Sequence, residues 1–561
     1  MELNQHDAAD HFNTYFTSIA SNLVNELPAA DLPSLNTPPV PESCVFETIT
    51  SHEVIAVVKA FANKGCHQDE IPQHIFILII AHIAHILAAL FNKCVILGMY
   101  PECFKRARVI PIFKSGNPND VSNFRPISTL TVFNKIFEKI LHSRLTRFLS
   151  QHNVLTDCQY GFRKKSNTCL AIFNLIFDII QSLSNKAYSV CLFLDQRKAF
   201  DVIIKNILLP KLNHYGIRNN LLALFDSYLT GREQYVVCNG VSSSVRPITT
   251  GVPQGSCLGP LLFIIFINDI VSLPGLKSIL FADDAAFYCE SDSFEGAVTQ
   301  VQHFITSLSR WLLQYRLIAH PEKTKLMLFT NRDRPLLPDV HFNGKKLSWV
   351  REYKYLGFIL DDKLSFLPHV TYVCNKLSKA LGIIYALSKF LPRHALLNIY
   401  FSLAYSHIVQ SVLIWGGNSN YKINCVQILM NKIMRVILNV RSVDHIPTMR
   451  SNEMYVRLKV LKFKDIYNYF LLKFLRTAFH DRNPVYYKCF QQWLPNHNHN
   501  TRFNKINLPI VRLDLEKKFA IFQSISTYNK LPMILTQPMS DARFKKLYKT
   551  FIINSYESQP H

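Results

Sequence analysis

The spacing of apolar residues changes repeatedly along this chain, and each change marks an element. Val298, Val301, Ile305, Leu308 and Leu312 recur every three or four residues, the period of a helix with one core-facing side. Residues 189–194, apolar without a break from Val190, predict a buried strand ending on Asp195. Residues 279–281 and 285–288 are two strand-forming runs around Asp283 and Asp284, which predicts a hairpin with both carboxylates at its tip. Helical spacing covers 1–30, 51–100, 133–149 and 198–203, with an apolar helix over 261–270. Strands are expected over 107–113 and 326–329, a strand and turn over 352–358, and a Pro-rich linker over 27–41. Beyond Phe366 the chain reads as helical and basic.

Composition adds a polyanion to this picture. The net charge is +23, yet residues 1–50 hold seven acids and no Lys or Arg. The basic excess therefore lies in the other 511 residues, which suits nucleic acid more than a merely solvated surface. Thirteen cysteines show no metal-knuckle spacing and read as scattered thiols in a reducing compartment. The polar, acidic start is unlike a signal peptide, so an intracellular protein is expected, in nucleus or cytoplasm and not secreted. The apolar run 75–91 is short and broken by His82 and His85, which favours a core helix over a membrane span.

Adjacent residues on a straight strand point to opposite faces, so Asp283 and Asp284 can share a ligand only at a turn. Two acids so close repel, and a hard divalent cation removes the conflict. A double Asp at a turn is equally a common structural feature. Asp195 could likewise be a helix N-cap, or it could complete a three-carboxylate site. Between these acids, 250–260 is rich in glycine and offers Gln254 as donor and acceptor, either as a ligand loop or as a plain entry to the next helix.

Taken in order, LDQRKAFD at 194–201, GVPQGSCLGPLLFIIFINDI at 251–270 and FADD at 281–284 resemble the reverse transcriptase of non-LTR (LINE-type) retrotransposons, and within it the Jockey-like group. NFRPIS at 123–128, QYGFRKKSNT at 159–168 and YKYLGFILDD at 353–362 are similar to its fingers and primer-grip motifs. The resemblance covers roughly residues 50–440. It implies a mixed α/β right-hand polymerase: a palm with an antiparallel sheet, fingers, a helical thumb and a helical C-terminal region. The expected divisions are 1–50, an acidic helix and linker; 51–187, extension and fingers; 188–330, palm with part of the fingers; 331–440, primer grip and thumb; and 441–561, a basic C-terminal region. It implies RNA-directed DNA synthesis on an RNA template from a DNA primer and dNTPs, with two Mg²⁺ ions, Mn²⁺ being a substitute. No membrane partner is expected, and the oligomeric state is left open.

By the same resemblance, Asp195, Asp283 and Asp284 are the catalytic metal ligands, with the backbone carbonyl of Gln196 as a further one. Phe200 is the steric gate beneath the sugar, Gln254 and Gly255 line the nucleotide pocket, and Arg125 and Lys114 hold the triphosphate. Tyr355, Leu356 and Gly357 position the primer end. The chain departs from the family at 202–205 and 315–320, and neither departure is expected to touch a metal ligand. The family's N-terminal endonuclease has no counterpart in 1–50, which points to a fragment of a longer element. The competing reading is a nucleic-acid-binding relic or domesticated protein that no longer synthesises DNA. A group II intron-type maturase or telomerase-like enzyme is the third, and the missing Cys-rich modules speak against it.

Overall fold

The computed structural model describes residues 5–35, 37–61, 73–417, 421–440, 442–443, 446–447, 449–479, 486–487, 490–491, 506, 508–509, 511–537 and 539–558. At its centre a five-stranded sheet runs Ser348–Trp349, Lys325–Phe329, Tyr188–Leu194, Asp284–Ser291, Lys277–Phe281, antiparallel except at the Ser348–Trp349 edge. Tyr188–Leu194 has a partner on either side and is apolar from Val190 onward because both of its faces are covered. Val190, Leu192 and Leu194 enter one core, which includes the helices Gly259–Phe266 and Phe294–Gln314. Cys191 and Phe193, one step out of phase, enter a second core with the helix Thr168–Ser184 and the helices beyond residue 366.

A second sheet joins Phe124–Thr129, Arg106–Phe113, Arg232–Cys238 and Val241–Ser242, with Arg246–Ile248 also on Arg232–Cys238. Its first two strands form an antiparallel pair, with Phe113 opposite Phe124 and Ile112 opposite Arg125. Past Phe366, Leu367–Leu387, Arg393–Tyr400 and Tyr421–Leu438 pack as a helical layer. Antiparallel palm sheet, finger sheet and helical thumb make up the right-hand polymerase architecture, and further helices from Ser451 to Ser558 follow it.

Two expectations change. Residues 198–203 are not a helix: the chain makes one turn there, with the Val202 N–H on the Lys198 carbonyl, and the helix starts at Lys205. Lys198 is left-handed at φ +48°, which breaks helical geometry at its first residue. Gly251 and Val252 donate their N–H groups to the carbonyls of Ile203 and Phe200, so the backbone is satisfied by a distant loop. Residues 73–97 form one long helix, and only part of its apolar surface is inside. Phe76, Ile80, Ala84, Leu87 and Phe91 enter the core, whereas Leu78 and Ile96 are 73% and 68% exposed. By length and composition His74–Leu97 is the one helix among the described residues that could cross a membrane, with 33% of its most apolar window buried.

The N-terminal helix spans Gln5–Asn25. The linker after it is tied down: Val40 donates to the His214 carbonyl, and Arg218 donates to the carbonyls of Val40 and Pro41.

Candidate active site

Asp195 follows the last residue of its strand. Leu194 pairs with Ala285, so one further step of the register sets Asp195 opposite Asp284. Leu194 and Ala285 face one core, and by alternation Asp195 and Asp284 share the other face. Phe281 pairs with Asp284, which leaves Ala282 and Asp283 as a two-residue turn. Ala282 takes φ +56°, the left-handed conformation such tight hairpin turns demand. Asp283 is therefore on the turn and Asp284 on the strand, so adjacent acids reach one cleft without sharing a strand face.

Their charges are coupled. Burial, then the Asp283 and Asp195 charges, push Asp284 up to about 6, although it opens to solvent on the cleft side. Asp283 is raised by burial and by Asp195. Lys114 and Arg125 oppose both shifts, so the charges at the ends of the finger strands are felt by both acids. Lys114 is itself lowered by loss of water and by Arg125, Lys323 and Lys198, with Asp195 pulling the other way. Two cations, Lys114 and Arg125, thus act on both Asp283 and Asp284.

Among the described residues no group of three or more His, Cys, Asp or Glu side chains stands ready to hold a metal ion. The donor set nevertheless suits one chemically: all oxygens and mutually repelling. Side-chain rotation toward a common point is what a cation requires of this geometry.

The segment 315–320, expected to leave the metal ligands alone, lies directly on Asp195. The His320 N–H donates to the Asp195 carbonyl at 2.8 Å, and Asp195 donates its own N–H to the Thr324 hydroxyl at 3.3 Å. Gln196 bridges to Ala319, and its Nε2 reaches the Asp283 carbonyl at 3.5 Å. A departure in side chains here acts through the backbone that seats the acid.

Phe200 is half-buried and stacks on Phe263 at 4.3 Å, with Phe162 edge-on at 6.1 Å. Gln254 does not hang free: its Nε2 donates to Asp201 Oδ1 at 2.7 Å, and its carbonyl accepts the Ser128 N–H at 2.7 Å. Gly255, at φ +119°, brings the loop against Ser128, where any Cβ would strike the Ser128 carbonyl. The loop is anchored from below by Glu138, a fully buried carboxylate that accepts the N–H groups of Cys257 and Leu258 and the Tyr228 hydroxyl.

Glu352–Tyr355 and Phe358–Asp361 form a hairpin around Leu356 and Gly357, at φ +49° and +82°. Tyr355 is buried and donates to the Ile279 carbonyl at 3.3 Å, so it supports the tip rather than lining it. Tyr353 stacks on Phe193 at 4.5 Å and is raised to about 12 by burial and by Asp195 and Asp284.

Sequence reasoning passed over Gln159. Its Oε1 accepts the N–H groups of Ala282 and Gly161, and its neighbour Tyr160 donates to the Leu280 carbonyl. QYGF thus adds a short parallel bridge beside the strand that leads into the acidic turn. The motif itself was visible, but its attachment 123 residues away was not.

Residues 112–360 match the family model described as reverse transcriptase (RNA-dependent DNA polymerase). Over 413 residues the chain is 29% identical to the RNA-directed DNA polymerase from mobile element jockey of Drosophila melanogaster, covering 71% of this chain and 45% of that protein. It is 28% identical to the probable RNA-directed DNA polymerase from transposon BS of the same species, over 76% of this chain and 49% of the relative. The jockey protein of Drosophila funebris gives 28%, over 70% and 44%. The chain spans about half the length of the curated relatives it matches. Residues 112–360 are therefore a reverse transcriptase domain, of the kind that Jockey-like non-LTR retrotransposons encode.

Proposed function

We propose that this chain is an RNA-directed DNA polymerase that extends a primer 3′-OH along an RNA template with dNTPs. The observation that supports it most is the register that sets Asp195 opposite Asp284, with Asp283 on the adjoining turn and the charges of Lys114 and Arg125 acting on it and Asp284. Reverse transcriptases generally use divalent metal ions. Asp195, Asp283 and Asp284 would hold them, and the Gln196 carbonyl is the further donor we assign. Two bound Mg²⁺ ions would supply Lewis acidity to the attacking and leaving oxygens.

The chain's own residues do the rest. Lys114, Arg125, Lys198 and Lys323 offset the charge of a triphosphate. Phe200, held by Phe263, is the surface we assign beneath the sugar, where an aromatic ring leaves no space for a 2′-OH. Asp201 fixes Gln254, and Gln254 fixes the loop wall. The hairpin tip at Leu356 and Gly357 is the element we assign to the primer end. The divisions that follow are 1–50 as helix and linker, 51–187 as extension and fingers, 188–330 as palm, 331–440 as primer grip and thumb, and 441–561 as a basic C-terminal region.

Primer extension on poly(rA)/oligo(dT) with Mg²⁺ tests the reading. Templated incorporation of dTTP that disappears in Asp195→Asn is the expected result. A purified, folded chain that binds the template-primer and incorporates nothing with Mg²⁺ or Mn²⁺ overturns it in favour of a binding protein.

A further inference from the structure

The helix Gln5–Asn25 precedes the polymerase domain and carries no Lys or Arg, so it offers nothing to a phosphate directly. It is nevertheless built into the finger sheet. Asn13 is fully buried, donating to the Ser244 carbonyl at 2.8 Å and accepting from Gln234 Nε2 at 3.0 Å. Phe12 meets Phe124 edge-on at 4.9 Å, one residue before Arg125. Downstream, Ser21 bonds Thr249 at 3.3 Å, and Arg316 donates to the Pro28 carbonyl at 2.6 Å. A buried amide pair at one end and a guanidinium at the other hold the segment across the side of the nucleotide pocket.

Tyr15 lies two residues past Asn13, beside the first of these anchors. The Lys198 ammonium sits 5.6 Å from the centre of its ring, and Asp120 and Asp201 act on its hydroxyl. Lys198 is the left-handed residue between Asp195 and Phe200, and its charge is felt by both Lys114 and Asp201. A lysine binds phosphate as a point charge on a flexible stem, so its contribution grows when something fixes where its ammonium rests. An aromatic face does so without neutralising it, because the ring quadrupole attracts the cation and leaves its charge available.

We propose that Tyr15 is a positioning residue of the nucleotide site, its ring holding the Lys198 ammonium toward the triphosphate of the incoming nucleotide. The N-terminal helix is then a wall of the pocket, not an appendage to it. The proposal rests on the polymerase reading for its substrate, but nucleotide binding can be measured apart from synthesis.

The test uses the full chain with a dideoxy-terminated oligo(dT) primer on poly(rA), on which dTTP binds and no bond forms. Dissociation constants for dTTP are measured for wild type, Tyr15→Leu, Tyr15→Phe, Lys198→Met and the Leu/Met double variant, alongside KM and kcat in extension. Tyr15→Leu should weaken dTTP binding and raise KM by roughly 5- to 30-fold. Template-primer affinity and kcat should stay within about twofold, the split expected when substrate binding alone is lost. Tyr15→Phe keeps the ring and should behave as wild type. Tyr15→Leu should cost nothing further in the Lys198→Met background, since both remove one interaction. Unchanged dTTP affinity in Tyr15→Leu, or losses that multiply in the double variant, would overturn the proposal. If Tyr15→Leu folds poorly, Tyr15→Trp, which keeps an aromatic face, decides by holding or losing dTTP affinity. Intact dTTP binding with the expected variant pattern but no extension by wild type would instead sink the polymerase reading and leave the pocket wall standing.

Discussion

The side-chain oxygen of Gln159 accepts the backbone N–H of Ala282 at 3.0 Å, so a residue from the finger motif holds the turn that presents Asp283. Gln159 is buried, and the left-handed Ala282 has few other means of staying in place. Gln159→Leu leaves that N–H unpaired inside the protein, at a cost of about 1–3 kcal/mol. We expect a lower Tm and a fall in kcat of at least roughly tenfold, if the acid drifts by the order of an ångström. Circular dichroism melts and single-turnover extension check it. A variant that melts earlier but turns over normally would show the turn to be self-supporting.

Asp283→Asn should abolish extension by more than about 10³-fold while leaving template-primer affinity within about twofold. The substitution removes one carboxylate of the three, and Lys114 and Arg125 remain to hold phosphate. Filter binding and extension on one preparation separate the two effects. Near-normal synthesis by this variant would remove Asp283 from the metal site.

The pH dependence has a definite sign. Asp284 titrates at about 6 in the folded chain against an ordinary 3.8, so the native state keeps a proton that the unfolded chain has lost. Its contribution to stability is present below the ordinary value and is lost as pH rises through about 6. A metal must displace that proton, so the Mg²⁺ concentration for half-maximal rate should fall as pH rises toward and past 6. Metal titrations at pH 5.5, 6.5 and 7.5 would be compared with the same series for Asp284→Asn. Parallel curves for both proteins would place the titrating group elsewhere.

Phe200→Val should admit ribonucleotides while deoxynucleotide use persists. The ring is braced by Phe263 and does not swing freely, so shortening it opens space that a neighbour cannot refill. The ratio of kcat/KM for dTTP over UTP is the readout. Discrimination equal to wild type would move the gate to another residue.

RNA binding should weaken steeply with salt between about 50 and 200 mM, as counterion release requires. The acidic segment 1–50 carries none of that charge, which alone suggests that its deletion is harmless. The fold says otherwise. Asn13, Val40 and Ile49 are buried, and Cys44 donates to the Gly216 carbonyl. Deletion should therefore lower Tm even though the salt slope of the point-mutant Tyr15→Leu stays that of wild type. An unchanged Tm after deletion would contradict this.

What could be read in the chain was local. The strand ending on Asp195 and the hairpin around Asp283 announce themselves by short apolar runs, because period and burial are written in neighbouring residues. Residues 198–203 misled because their apolar spacing is helical, while Lys198 at φ +48° and hydrogen bonds from Gly251 and Val252 impose a different path. Residues 75–91 read as core because hydrophobicity reports a demand for burial and not how much of it neighbours meet. The positions of Gln159, Glu138 and Tyr15 depend on partners more than a hundred residues away. No periodicity carries that information.

Tyr188–Leu194 pairs along both edges and is covered on both faces. Its amide protons should be among the last to exchange with solvent, since they are released only when most of the molecule opens. The Ala282–Asp283 turn has its Ala282 N–H held by a side chain, that of Gln159, and should exchange through smaller local openings. Deuterium uptake should then divide the three acids by timescale: Asp195 on a slow scaffold, Asp283 on a faster tip. A ligand that draws them together would slow the tip far more than the scaffold. Exchange at residues 282–284 is for that reason a reporter of site closure that needs no turnover.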